Sequence, residues 1–216
     1  MFSTSTTEIH SQVDMILQKL GGLLQQCSRT RASKSGLSVH SILVKMGLED
    51  DLFICNHLIN MYAKCNNFES AHRIFNGMRE RNLISWSALI AGYDQAGRHT
   101  MAIDFFTRMK LQANEYIYAS ILSSCGSLSA LPQGKQVHAH ALKRGYNNIS
   151  FVSNSLMSMY MKCDCFENAF SIFSNLQEPN SISYKVMITG FVENSQVDRG
   201  LELFKLMRQQ GLQTDR

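Results

Sequence analysis

The chain has 216 residues, 44% of them hydrophobic, which is enough to bury a sizeable core and too many for a disordered polymer. Charged or polar residues interrupt every Leu/Ile/Phe-rich stretch, so no run approaches the roughly 18 to 20 apolar residues that span a bilayer, and no membrane partner is expected. Twenty-one Lys and Arg against 17 Asp and Glu leave a formal charge of +4, compatible with a polyanionic partner but common among ordinary proteins.

Residues 1–16 read as an N-terminal segment. It is rich in Ser and Thr, yet it carries Glu8 and Asp14 and has no arginine before Arg29, so it makes a poor transit peptide and is too polar for a secretory signal. Beyond it the chain repeats itself. At an offset of 98 residues, Cys27 pairs with Cys125, Gly36 with Gly134, His40 with His138, Asn56 with Asn154, Lys64-Cys65 with Lys162-Cys163, Asn82 with Asn180, and Met109 with Met207. A register held without a gap over that length makes the chain two copies of one large unit.

Each copy divides again, because NHLINMYAKC at 56–65 resembles SALIAGYDQA at 87–96, and NSLMSMYMKC at 154–163 resembles KVMITGFVEN at 185–194. The resulting units are 17–51, 52–82, 83–114, 115–149, 150–180 and 181–215. Within 52–82, Leu58, Ile59, Met61 and Tyr62 belong to a first helix. Phe68, Ala71, Phe75 and Met78, three or four apart, mark a second amphipathic one. Phe166, Ala169, Phe173 and Leu176 do the same in 150–180, and Asn66-Asn67 and Gln95-Ala96-Gly97 supply turns. Of the two prolines, Pro132 and Pro179, the latter falls between units, where it breaks no helix. A lone helical hairpin cannot bury both faces, so an all-α stack of helix-turn-helix repeats is expected. Six cysteines dispersed through helical sequence fit a reducing compartment.

FICNHLINMYAKCNNFESAHRIFNGMRERN and FVSNSLMSMYMKCDCFENAFSIFSNLQEPN resemble the short motif of plant pentatricopeptide repeat proteins. GLSVHSILVKMGLEDD and GKQVHAHALKRGYNNI resemble that family's long motif, and LISWSALIAGYDQAGRHTMAIDFFTRMK and SISYKVMITGFVENSQVDRGLELFKLMRQQG its standard motif. The third unit departs from the pattern, since MKLQANEYIY lacks the usual Gly-x-x-Pro and is short. The alternation resembles the subclass associated with organellar RNA editing. It implies a right-handed superhelical solenoid that binds single-stranded organellar RNA, one base per repeat, without catalysis or cofactor of its own. Editing-complex proteins would supply a deaminase, in the mitochondrion or alternatively the chloroplast. On that resemblance the specifying pairs are Asn56 with Asn82, Ser87 with Asn114, Asn154 with Asn180, and Lys185 with Asp215. The long-motif pairs Gly21/Asp51 and Ala119/Ile149 read little. Phe53, Ile84, Phe151 and Ile182 would sandwich bases, and Lys64 and Lys162 would meet phosphates. The chain stops at Asp215-Arg216, where a motif ends, so a fragment of a longer protein or a truncated gene product is expected.

Plainer roles stand beside these. Asn56 and Asn154 could cap the helices that start near them. Phe53 and Phe151 could be packing residues, and Tyr62 and Tyr160, among apolar neighbours, read as core. Cys163 and Cys165 with His138 and His140 suggest zinc, but the other copy has Asn67 and Ile42 at two of those places and neither copy has CxxC spacing, so no metal is expected. GxSxG, HExxH, phosphate-loop and deaminase signatures are absent from the sequence. A protein-binding tetratricopeptide scaffold is the alternative, but it keeps a steady 34-residue period that this chain lacks.

Overall fold

The computed structural model describes the backbone of residues 3–213 and, except at residue 147, the side chains of residues 11–213. In chain order these form α1 (Ser3–Thr30), α2 (Ser33–Met46), α3 (Leu52–Lys64), α4 (Phe68–Gly77), α5 (Leu83–Gln95), α6 (His99–Arg108), α7 (Glu115–Ser127), α8 (Leu131–Lys143), α9 (Ser150–Lys162), α10 (Phe166–Ser174), α11 (Ser181–Glu193) and α12 (Val197–Gln209). A 3-10 turn, Tyr146–Asn148, leads into α9. Among the described residues the regular structure is entirely helical, and no helix is long and apolar enough to cross a membrane.

The chain divides into two compact units between Ala96 and Gly97. In the first, α1, α3 and α5 lie side by side, with α2 packed on α1 and α3, and α4 on α3. In the second, α7, α9 and α11 form the same kind of row, backed by α6, α8, α10 and α12.

Side chains that satisfy the free amides of a first helical turn fix where several helices begin. Asp51 Oδ1 accepts from the Ile54 amide at 3.0 Å ahead of α3, Asn114 Oδ1 from Ile117 at 3.1 Å ahead of α7, and Asn180 Oδ1 from Ser183 at 3.0 Å ahead of α11. Asn82 forms a full capping box with Ser85 at the start of α5. The hairpins close in one recurring way. Arg31, Asn66, Gly97, Ser129, Asp164 and Ser195 each adopt a left-handed conformation in the turn. In five of these turns the next amide donates back to a carbonyl five residues earlier, as from Ala32 to Cys27 at 2.9 Å and from Cys165 to Tyr160 at 2.9 Å.

One element exceeds its expected bounds. The first unit was expected to start at residue 17 after a separate segment, whereas α1 is a single helix of 28 residues. Val13, Ile16, Leu17, Leu20 and Leu24 continue the helical spacing across that point, and no proline interrupts it.

The core repeats itself in detail. Tyr62 lies buried with its hydroxyl 2.7 Å from His40 Nδ1, and at the same place in the second unit Tyr160 is buried 2.9 Å from His138 Nδ1. The core reading of both tyrosines therefore holds. Tyr118 and His140 are 2.8 Å apart, and Tyr93 pairs with His72. Burial lowers the pKa of His40, His57 and His138 below the usual imidazole value of 6.5, opposed at His40 by Glu49. The unfolded chain therefore binds more protons than the folded one just below pH 6.5. Stability contributed by these neutral rings is complete above that value and lost as the pH falls through it. Thermal melts are expected to show a falling midpoint from about pH 7 to pH 5, and the drop should shrink in His138→Gln. A midpoint flat across this range would contradict the assignment.

Candidate nucleic-acid interface

The row formed by α3 and α5 in the first unit, and that formed by α7, α9 and α11 in the second, present the same register. Phe53, Ile84, Tyr116, Phe151 and Ile182 are each the second residue of their helix, and Asn56, Ser87, Ala119, Asn154 and Lys185 each the fifth. Residues three apart on a helix share a face, so each apolar side chain stands beside the fifth-position residue that follows it, polar in every helix but α7, where it is Ala119.

The apolar members are left in solvent, from 36% exposed at Phe53 to 62% at Tyr116. Tyr116 was not among the expected residues, because its unit was read as a long motif that contacts little. The signal that could have found it is simply an aromatic residue at the position of Phe53 and Phe151. Its ring lies 5.7 Å from that of Phe151. Phe53 is partly committed to packing: its ring is edge-on to His57 at 4.5 Å and lies against Gly21, where a Cβ would come within 2.5 Å of it.

The polar members are unlike ordinary core polar groups. Among the described residues, the buried polar side-chain atoms that lack a hydrogen-bond partner are Glu49 Oε2, Asn56 Oδ1, Ser87 Oγ and Asn154 Oδ1. Three of the four occupy one register position in three different repeats. Leaving such a group unsatisfied costs about 1–3 kcal/mol, so finding it three times at one place asks for a ligand.

The capping role falls on the other partner of each pair. Asn56 and Asn154 lie inside α3 and α9, whose N-terminal flanking residues are Asp51 and Ile149, so neither caps a helix. The caps are Asn82, Asn114 and Asn180, the residues that end the preceding units. Their Oδ1 atoms are taken up by helix amides, which leaves the Nδ2 donors to face elsewhere. In the first unit the two members of one expected pair meet directly, Asn56 Nδ2 donating to Asn82 Oδ1 at 3.3 Å. Asp215 lies outside the described residues.

Lys64 and Lys162 end α3 and α9, half-buried and exposed respectively. The Lys162 stem lies over Gly126 of α7, where a Cβ would come within 3.0 Å of Lys162 Cδ. Lys162, Lys185 and Ile182 line one groove of about 270 Å³ between α9 and α11. Elsewhere, no group of three or more His, Cys, Asp or Glu comes together as a metal site among the described residues. His138 and His140 are instead engaged with Tyr160 and Tyr118.

The description of the PPR repeat matches residues 53–83, 84–112, 151–179 and 182–212, more than half of the chain. The chain belongs to the pentatricopeptide repeat family. The matched segments fall on the hairpins that begin with α3, α5, α9 and α11. Among curated Arabidopsis thaliana relatives, the pentatricopeptide repeat-containing protein At4g39530 is 37% identical over 88% of this chain and 23% of its own length. At3g02330, named as mitochondrial, is 38% identical over 89% of this chain and 22% of its own length. At1g11290, named as chloroplastic, is 31% identical over 94% of this chain and 26% of its own length. The chain thus spans about a quarter of the length of these relatives. It shares the pentatricopeptide repeat fold with the crystal structure of maize PPR10, at a TM-score of 0.61 and 14% identity over 91% of this chain and 34% of PPR10. It matches PPR10 in complex with an 18-nt psaJ RNA element at a TM-score of 0.63 and 14% identity, over 98% of this chain and 38% of that one.

Proposed function

We propose that this chain binds single-stranded RNA sequence-specifically in organellar RNA processing, recognising a site for C-to-U editing, with catalysis supplied by editing-complex proteins or a deaminase elsewhere. The observation that carries this reading is the set of unpartnered polar atoms at Asn56, Ser87 and Asn154, each beside an exposed apolar residue at Phe53, Ile84 or Phe151. A splayed base needs a flat apolar contact for its face and a donor or acceptor for its Watson–Crick edge, and each position offers both. The complex of PPR10 with RNA supports RNA as the partner, and relatives named mitochondrial and chloroplastic support an organellar site of action. On this reading the bases are specified by Asn56/Asn82, Ser87/Asn114, Asn154/Asn180 and Lys185/Asp215, in an array of alternating long, short and standard motifs. The mitochondrion is the first compartment to examine and the chloroplast the second.

A binding titration tests the reading with RNA carrying a pyrimidine, an adenine, a spacer and a second pyrimidine, against a permuted RNA and the matching DNA. Preference for the first RNA is expected, and equal binding of all three would remove the base-reading assignment. The variant Asn82→Asp/Asn180→Asp sharpens the test. Aspartate caps a helix about as well as asparagine, so the fold should persist. The exchange replaces an amide donor by an acceptor, which suits the N3–H of uracil and not the bare N3 of cytosine. A shift of pyrimidine preference toward uridine in a randomised-RNA selection is expected, and an unchanged preference counts against these pairs.

A further inference from the structure

Between Glu115 and Asp164 the sequence contains no acidic residue. Lys135, Lys143, Arg144 and Lys162 stand in that stretch without a carboxylate to offset them, whereas the same stretch of the first copy sets Glu49, Asp50 and Asp51 among its lysines and arginines. Most of the imbalance gathers at α8, which carries Lys135 and Lys143 and is followed directly by Arg144. A run of solvated cations is ordinary on a helix surface. What distinguishes this one is the apolar surface beside it.

A groove of about 360 Å³ runs between α8 and α6, including the segment that follows α6. Phe106, Met109, Leu111 and Val137 give it an apolar lining, and Lys110 and Arg144 contribute the charge. Phe106 and Met109 are half-buried, Leu111 is 42% exposed, and both cations are exposed. Neither cation forms an ion pair among the described residues, and no Asp or Glu lines the groove. None of the second- or fifth-position residues of α7, α9 and α11 lines it either. A cation near a helix C-terminus offsets the helix dipole, which is the plain role for Arg144. The helix does not require it, since α2 ends in Met46 at the same place. Gln12 stands at the place of Lys110, so the first copy lacks both charges.

We propose that the groove between α6 and α8 docks an acidic peptide segment of a partner protein, with a Leu or Phe side chain set on Phe106, Met109 and Val137 and carboxylates placed against Lys110 and Arg144. The arginine fork pairs with a carboxylate through two parallel N–H bonds. A ribose-phosphate backbone would find the two cations but has nothing to lay on the apolar surface between them. A peptide that alternates acidic and apolar side chains uses both, and an apolar anchor in a groove is where binding energy concentrates. The site goes beyond the RNA reading above, because it adds a second partner on residues which that reading leaves unused.

Fluorescence anisotropy on the full chain tests this with three short labelled peptides: one of Glu and Asp interspersed with Leu and Phe, one with Lys in place of the acids, and one with Ser in place of Leu and Phe. Wild type is expected to bind the first more tightly than either other, with an affinity that falls as salt rises. Lys110→Gln/Arg144→Met installs the residues of the first copy and should weaken that binding by roughly tenfold. Leu111→Gln, at an exposed position, should weaken it too, and both variants should bind the base-bearing RNA as wild type does. Circular dichroism confirms the fold of each. Added RNA should leave the peptide affinity unchanged. The proposal is overturned if the acidic peptide binds no better than its Lys counterpart, if the double variant binds it as tightly as wild type, or if RNA displaces it, which would give the groove to the nucleic acid. A chain that binds the acidic peptide and no RNA would remove the RNA reading alone.

Discussion

Gly92→Ala is expected to lower the melting temperature, although alanine is the better helix former. Gly92 sits within α5, and a Cβ there would come within 2.6 Å of Ala63 Cβ and 3.7 Å of Ala63 Cα on α3. Neither atom belongs to a flexible side chain, so the helices themselves must separate. Overpacking of this kind costs about 1–3 kcal/mol, offset by the gain of up to about 1 kcal/mol from helix propensity. A net loss corresponds to a fall of roughly 2–8 °C for a protein of this size. Gly22, in α1 with nothing within 4 Å of its Cβ position, is the control. Gly22→Ala should stabilise by about 0.5–1 kcal/mol. Gly190, at the place of Gly92 in the other copy, would bring a Cβ within 2.6 Å of Met161 Cγ and 2.9 Å of Met161 Cβ, so Gly190→Ala should be disfavoured in the same sense. If Gly92→Ala and Gly22→Ala raise the melting temperature equally, α3 and α5 are not in close contact.

The double variant Asn56→Ala/Asn154→Ala should separate stability from binding in the opposite sense. Each substitution removes a buried, unpartnered carbonyl oxygen. The loss of the single 3.3 Å bond from Asn56 to Asn82 leaves the Asn82 cap intact, because its Oδ1 still accepts from Ile84 and Ser85. Alanine also has the higher helix propensity. Stability should therefore stay within about 1 kcal/mol of wild type or rise, while affinity for the base-bearing RNA falls by about 30- to 150-fold at roughly 1–1.5 kcal/mol per position. A core role predicts the reverse, a destabilised protein whose remaining folded fraction binds normally. Melting and titration on the same preparation distinguish the two.

Periodicity made the architecture legible. The spacing of Phe68, Ala71, Phe75 and Met78 marks a helix whose buried face is Phe68, Ala71 and Phe75, and the internal repeat located the hairpins because the same turn chemistry recurs at Asn66 and Asp164. The start of α1 was not legible in the same way. A Ser/Thr-rich stretch looks like a poor helix former, yet the apolar spacing from Val13 to Leu24 runs through residue 17 without a break and one helix carries it. The site positions were legible only through resemblance. Composition cannot distinguish an asparagine that caps a helix from one five residues further in, and at Asn56 the hydrogen bonds separate the two: Asp51 is the cap and Asn56 lies within the helix. Tyr116 lies in a long motif, which the resemblance implies reads little, yet its exposed ring obeys the same register as Phe53 and Phe151.

The asparagines that open α5, α7 and α11 bind the first turn of the helix through the amide oxygen, which leaves the amide NH2 outside that duty. That double duty narrows what redesign can do there. Any replacement at Asn82, Asn114 or Asn180 must keep a side-chain acceptor for the first turn, which restricts the usable alphabet to Asn, Asp, Ser and Thr and makes each further choice a loss of about 1 kcal/mol. Asn56, Ser87 and Asn154 carry no such obligation. On the proposed RNA-binding reading, a change of target sequence therefore disturbs the fold least at the interior positions, with the caps chosen afterwards from a short list, and a library that randomises both together will consist mostly of chains whose helices start badly.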